Sequence, residues 1–181
     1  MCVNRGGGGG GGKAAEFFKA NPDFELIGGA ELDSKGNLVI DARRYGSEFG
    51  DPSRGGTWYE IPAYPGALSG YEAGKMYSRE AGMGVGGREM HSRTITSHNP
   101  YYHNWTGQGE AWSVVRVSNK VLGKDETKKL SRGIKGVNAE KAFARVESAV
   151  ATKLKSQGYD SIVMYDKTGG YIHPKQVFVF K

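Results

Sequence analysis

Histidine is the residue type in this sequence that is best suited to acid–base chemistry near neutral pH. His91, His98 and His103 are separated by gaps of seven and five residues, and Glu89 precedes them. These gaps match no common zinc spacing and the chain has a single cysteine, so no metal site is expected. In a metal-independent ribonuclease, His91 or His98 would be the general base and His103 or His173 the general acid.

The charge of the chain leaves the nature of its partner open. The net charge is +6 and the aromatic fraction is 11%. Basic and aromatic residues suit a phosphate-bearing partner such as RNA, and in a ribonuclease Arg93 and Lys175 would hold the phosphate. Ordinary solubilising charge explains the same numbers, because lysine and arginine are scattered along the sequence.

A run of seven glycines occupies residues 6–12, near the start of the sequence. No strand precedes it and no Gly-Lys-Ser/Thr ending follows, as a phosphate-binding loop would require. Such a run cannot bury apolar surface to offset its backbone entropy. We therefore predict a disordered arm at residues 1–12 and a single domain at residues 13–181.

The last forty-five residues predict the most regular part of that domain. Asn138 suits a helix N-cap, and Gly158 follows where the helix should end. Between them one helical face is apolar, with Phe143, Val146, Val150 and Leu154. A strand is predicted at residues 159–165, a turn at 166–170 and a final strand at 176–180.

The remaining elements predicted upstream are short and mixed in type. Helices are predicted at residues 13–20, about 69–80 and, weakly, 124–134, with one helical turn at 101–105. Strands are predicted at 57–61, 89–96 and 111–117, with a strand–turn–strand unit at 28–42. Because strands and helices do not alternate strictly, the pattern indicates an α+β fold.

Targeting features suggest a cytoplasmic setting. Cys2 is the only cysteine, so no disulfide framework is possible within the chain, which favours a reducing compartment. No apolar run approaches the length of a membrane span, and no secretory signal is visible, so no membrane association is expected. The cytoplasm of a cell or of an infected host is the predicted location.

The order of four stretches resembles the ADP-ribosyltransferase family, especially its small phage-type and toxin-type members. These stretches are the strand containing Trp58-Tyr59-Glu60, the segment 93–102 after a glycine-rich joint, the segment 113–117, and the closing helix–strand–turn–strand. The last of these includes a Gly-Tyr-Asp-Ser-Ile-Val strand and a terminal Val-Phe-Val-Phe strand. The resemblance covers residues 57–181.

This resemblance implies two small antiparallel sheets with a split cleft that binds NAD. The implied function is mono-ADP-ribosyl transfer to a protein or nucleic-acid acceptor. Nicotinamide would stack on aromatic residues, and hydroxyl residues at a strand end would shape the pocket. The implied cofactor-binding residues are Trp58, Tyr59, Thr96, Ser97, Tyr101 and Tyr102.

The chain departs from the family at the usual catalytic glutamate. A carboxylate normally stabilises the cation-like transition state from a position at or just before the final strand. Here that position holds Lys175 and Gln176. We therefore consider Gln176 and Asp166 as the catalytic candidates, with Arg44 or Arg54 reaching the phosphates of NAD. A catalytically inactive nucleotide- or nucleic-acid-binding protein of the same fold remains an alternative.

Overall fold

A computed structural model describes residues 12–45, 52–62, 90–107 and 113–181. Residues 1–11 of the predicted arm, the helix predicted at about 69–80 and Cys2 lie outside the described residues. Gly12 is described, and its N–H donates a hydrogen bond to the carbonyl of Lys35 at 2.8 Å.

The described residues form four α-helices, a short 3₁₀ helix and eight strands. The helices are α1 (Ala14–Lys19), α2 (Ser113–Val121), α3 (Lys124–Leu130) and α4 (Ala139–Ser156), and the 3₁₀ helix is Pro52–Arg54. The strands are β1 (Glu25–Leu26), β2 (Ala30–Leu32), β3 (Leu38–Tyr45), β4 (Gly56–Glu60), β5 (Met90–Ser97), β6 (Pro100–Asn104), β7 (Ser161–Thr168) and β8 (Tyr171–Phe180). The α+β class predicted from the sequence is confirmed.

The strands form one curled, open sheet built from two groups, rather than two separate sheets. In the first group, β3 lies between β2 and β5. In the second group, β8 pairs with β7 along one edge and with β1 and β4 along the other, and β6 continues beyond β7. A single residue pair, Arg43 opposite Glu60, joins the groups. The β1–β8 and β6–β7 pairs are parallel, whereas the expectation was of antiparallel strands.

The core consists of two clusters, one on each face of the sheet. Leu38, Ile40 and Val163 belong to the cluster on the face that α1 covers, which we call the α1 face. Ile162 and Met164 belong to the cluster under α2 and α4, on what we call the helical face. Successive residues of β7 therefore enter different clusters, as the alternation of side chains along a strand requires.

Two predicted elements are wrong. The strand predicted at 111–117 is helical where it is described, in α2. Its valines suggested a strand, but Val114 and Val117 are buried three residues apart on one side of a helix. The helical turn predicted at 101–105 is instead β6, which pairs in parallel with β7. Pro100 is compatible with this strand because it stands at its first position.

The other predicted elements are confirmed within the described residues, and the closing unit has a tighter turn than expected. β7 continues past Asp166 to Thr168, so the turn is reduced to Gly169 and Gly170. Both glycines have positive φ, 61° and 79°, as a two-residue hairpin turn of type I′ requires.

Candidate functional site

A row of residues crosses the helical face of the sheet from strand to strand. The register places Arg43 opposite Glu60, Glu60 opposite Gln176, Gln176 opposite Met164, and Met164 opposite His103. Residues directly opposite each other point to the same side of a sheet, so all five side chains lie on the face under α2 and α4. We call this set the cross-strand row.

The centre of the cross-strand row is a hydrogen-bonded carboxylate and amide. The side-chain N–H of Gln176 donates to Glu60 Oε1 at 2.7 Å. Both side chains are partly buried. The carboxylate of Glu60 on β4 therefore lies beside Gln176, at the position of the final strand where the sequence has no acidic residue.

A second carboxylate, Glu147, faces the sheet from α4. The residue is 4% exposed, and its carboxylate accepts hydrogen bonds from Arg54 Nη1 at 3.1 Å to each oxygen and from the indole N–H of Trp58 at 3.1 Å. Burial raises the pKa of Glu147 above its usual value, while the charge of Arg54 and these bonds act in the opposite direction. Arg54 also pairs with Glu140, which lies seven residues, or about two helical turns, earlier on α4.

Trp58 lies where two cavities meet. It stacks on Phe178 with ring centroids 4.7 Å apart, and it precedes Glu60 by two residues on the same side of β4. A cavity of about 210 Å³ on one side is lined by Trp58, Glu147 and Gln176, among others. A larger cavity of about 1030 Å³ is lined by Arg44, Arg54, Trp58, Lys141 and Arg145, among others. Trp58 thus borders both a small cavity that contains the carboxylate of Glu147 and a larger cavity lined mainly by basic residues among its charged groups.

Of the predicted site residues, Trp58 and Gln176 are the two that line the smaller cavity together. Asp166 lies on β7 two residues beyond Met164, which places it on the same side of that strand. Its carboxylate is 4.0 Å from the ammonium of Lys175, the extra residue of β8 at a bulge in the β7–β8 register.

The predicted tyrosines are packed into the cores. Tyr59 faces the α1 cluster, and its hydroxyl accepts a hydrogen bond from Arg93 at 3.2 Å. Tyr102 stacks on Phe17 at 4.0 Å, and burial raises its pKa far above the usual value. Tyr101 is on the other face of β6, where it packs edge-on against Tyr159, and burial also raises its pKa. The three rings therefore do not form one stacking surface.

Thr96 and Ser97 lie at the end of β5, near the start of β7. Thr96 is exposed, whereas Ser97 is 1% exposed. The Ser97 hydroxyl donates to Asp160 Oδ1 at 2.5 Å and lies 2.8 Å from the hydroxyl of Ser161. The backbone N–H of His98 donates to the other oxygen of Asp160 at 2.6 Å. These bonds fasten the end of β5 to the start of β7.

The histidines do not converge on one site. His98 is hydrogen bonded to Asn37 at 2.9 Å, and His91 lies near the opposite end of β5. His103 is 2% exposed within the cross-strand row. His173 lies on β8 opposite Asp166, and burial and the charge of Lys175 lower its pKa. Within the ranges that the structure describes, no group of three or more histidine, cysteine or acidic residues is arranged to hold a metal ion.

Glu60 and Glu147 were not identified as site residues from the sequence. Glu147 did leave a signal, because it falls four residues after Phe143 and three before Val150 on the apolar face of α4. A carboxylate at a core position needs a partner, and Arg54 supplies it. Glu60 left no such signal, because its importance depends on the β4–β8 register.

Comparison with known proteins did not identify a family: no family model, no curated protein and no solved structure matches this chain. None of the described helices is both long enough and apolar enough to cross a membrane.

Proposed function

We propose that this protein transfers ADP-ribose from NAD to a macromolecular acceptor, with Glu60 as the carboxylate at the nicotinamide ribose. The observation that carries the proposal is the 2.7 Å hydrogen bond from Gln176 to Glu60. The sequence resemblance implies a carboxylate at or just before the final strand. Glu60, on the neighbouring strand β4, lies beside Gln176 of that strand and supports this assignment. Gln176 then acts as a positioning residue, because its amide fixes the orientation of the carboxylate.

The chemistry fits a carboxylate rather than an amide. The bond between C1′ of the ribose and the nicotinamide nitrogen breaks, and its electron pair leaves with neutral nicotinamide. Positive charge builds up on the ribose, where a fixed negative charge stabilises the transition state. The acceptor atom then bonds to C1′ and loses its proton to solvent.

The surroundings of Glu60 support the binding of a dinucleotide. Trp58 offers an aromatic ring on the same face of β4, and the adjoining cavity of about 1030 Å³ has the volume of a typical ligand site. Arg44 and Arg54 line this cavity and are suited to phosphate groups. Hydrogen bonds hold the side chains of Arg44 and Trp58 in place. The Arg44 guanidinium donates to the carbonyl of Trp58 at 2.9 Å, and the Trp58 indole N–H donates to Glu147.

The test is nicotinamide release from NAD, measured with ADP-ribose labelling of a cell lysate. We expect Glu60→Gln to lower kcat by about 100-fold or more, because the substitution removes the charge but keeps the shape. Gln176→Ala should lower kcat less, because the carboxylate remains but loses its orientation. Glu31→Gln is the matched control, since it removes an exposed carboxylate on β2, and it should leave the rate unchanged.

Each outcome separates one part of the proposal from another. Label on protein or nucleic acid supports the transferase, whereas nicotinamide release without label indicates an NAD glycohydrolase. A rate lost in Asp166→Asn and retained in Glu60→Gln would transfer the role to Asp166. No nicotinamide release from the unmodified protein would contradict the proposal altogether.

A further inference from the structure

The positive charge of the chain is concentrated in its helical segment. Residues 113–156, which contain α2, α3 and α4, have eleven lysines and arginines against four acidic residues, a net charge of +7. The whole chain has a net charge of +6, so the rest of the sequence contributes −1. Although lysine and arginine occur throughout the sequence, the excess of positive charge is thus confined to this segment, which we call the basic helical layer.

The basic side chains of this layer are on its outer surface. All eleven, from Arg116 to Lys155, are exposed. Of the four acids, Glu147 is buried and paired with Arg54, and Glu140 also pairs with Arg54. The other two acids, Asp125 and Glu126, are exposed on α3, where the eleven exposed basic side chains of the layer outnumber them.

The basic helical layer is fixed in shape where it borders the larger cavity. Arg145 donates to the carbonyls of Leu130 at 3.2 Å and of Arg132 at 2.7 Å, which holds the connection between α3 and α4 against α4. Lys141 and Arg145, one helical turn apart on α4, line the cavity together with Trp58. A basic surface thus leads directly to a cavity that contains an aromatic ring.

We propose that the basic helical layer binds the phosphate backbone of a nucleic acid. Phosphates repeated along a strand match basic side chains spread over three helices, and they release counterions on binding. Nucleic acid is favoured over an acidic protein because, when NAD is absent, the bordering cavity can accept a nucleotide of the strand and Trp58 gives its base a surface on which to stack. The inference concerns binding alone and does not depend on NAD.

The experiment measures the anisotropy of a fluorescently labelled, mixed-sequence single-stranded DNA at low and moderate salt, without NAD. We expect the double variant Lys129→Glu/Lys141→Glu to raise Kd by about tenfold or more and to lower the dependence of log Kd on log salt concentration. Lys19→Glu/Lys35→Glu is the matched control, since it makes the same change of charge at exposed lysines of α1 and the β2–β3 turn. The control should change Kd less than about twofold.

Three outcomes with the unmodified protein and the charge-reversal variants would overturn the inference. One is the absence of DNA binding by the unmodified protein, and another is equal weakening in both double variants. In the third outcome, polyglutamate displaces the DNA as effectively as polyadenylate does when the two polymers are compared at equal charge. This result would indicate an acidic protein partner. If charge reversal unfolds the protein, Lys129→Gln/Lys141→Gln should still weaken binding, and unchanged Kd in this variant would equally contradict the inference.

Discussion

Glu147 is a buried carboxylate that is hydrogen bonded to Arg54 and Trp58. Its position on the apolar face of α4 gives it a desolvation cost, which Arg54 and Trp58 offset in part. The pKa of Glu147 is raised, so desolvation exceeds the favourable interactions. The folded protein consequently binds a proton at this site more tightly than the unfolded chain does.

This sign predicts how the stability depends on pH. A raised pKa in the folded state means that the contribution of Glu147 to stability is complete below the usual value of 4.5 and is lost as the pH rises through the raised value. Glu147→Gln has no such titration. The free energy of unfolding of the unmodified protein relative to this variant should therefore fall with rising pH, and urea unfolding from about pH 4 to pH 8 measures it. A difference that grows with pH would show that Arg54 dominates over burial.

Ser97 is assigned a structural role by its contacts, although the sequence resemblance implies a pocket residue. Ser97→Ala removes the buried donor to Asp160 and leaves that partly buried acceptor less satisfied, so we expect a loss of about 1–3 kcal/mol in the free energy of unfolding. Thr96→Val removes an exposed hydroxyl at equal shape and should cost less than about 0.5 kcal/mol. Urea unfolding checks both values. Unchanged stability together with slower nicotinamide release in Ser97→Ala would return Ser97 to the site.

The sequence could identify Gln176 as a departure from a pattern but could not find the carboxylate beside it. Glu60 and Gln176 are 116 residues apart, and their contact depends on the antiparallel register of β4 and β8. A shift of that register by one residue would place Glu60 opposite a residue that points to the other face. Register at this separation follows from tertiary packing, which no local pattern encodes.

At the scale of elements, the sequence predicts helices and strands best where a periodic pattern continues over many residues. The eighteen residues of α4 show the helical period over several turns, so this helix was predicted within a few residues. The nine residues of α2 include Val114, Val115 and Val117, whose β-branched side chains favour a strand locally. Packing of Val114 and Val117 against α4 outweighs that local preference.

Gly55 determines how closely the 3₁₀ helix and the start of β4 approach α4. Its φ is 76°, and a Cβ there would lie 3.2 Å from Ser148 Cα and 3.3 Å from Ala151 Cβ. Gly133 has a similar φ of 84° but nothing within 4 Å. We expect Gly55→Ala to lower the free energy of unfolding by about 1–2 kcal/mol more than Gly133→Ala, because only Gly55 also crowds a neighbour. Equal losses in urea unfolding would mean that α4 moves away at no cost.

At the scale of the whole molecule, β7 and β8 connect the two clusters of the core. Val163 and Val177 pack on the α1 face, while their neighbours Met164 and Phe178 pack on the helical face. Loss of either cluster would leave one face of both strands without its partner. We infer that the two clusters stabilise each other and unfold together, although only one residue pair joins the two strand groups directly.

Two core truncations test this coupling. Leu38 and Leu154 are both fully buried, the first in the α1 cluster and the second in the helical-face cluster. Leu38→Ala and Leu154→Ala should each lower the free energy of unfolding by about 2–5 kcal/mol. Urea unfolding should remain a single transition when followed by circular dichroism and by tryptophan fluorescence, to which Trp58 and Trp105 of the helical-face cluster contribute. If Leu38→Ala shifts the circular dichroism midpoint and leaves the fluorescence midpoint in place, the clusters unfold separately. In that case β7 and β8 do not couple the two faces of the sheet.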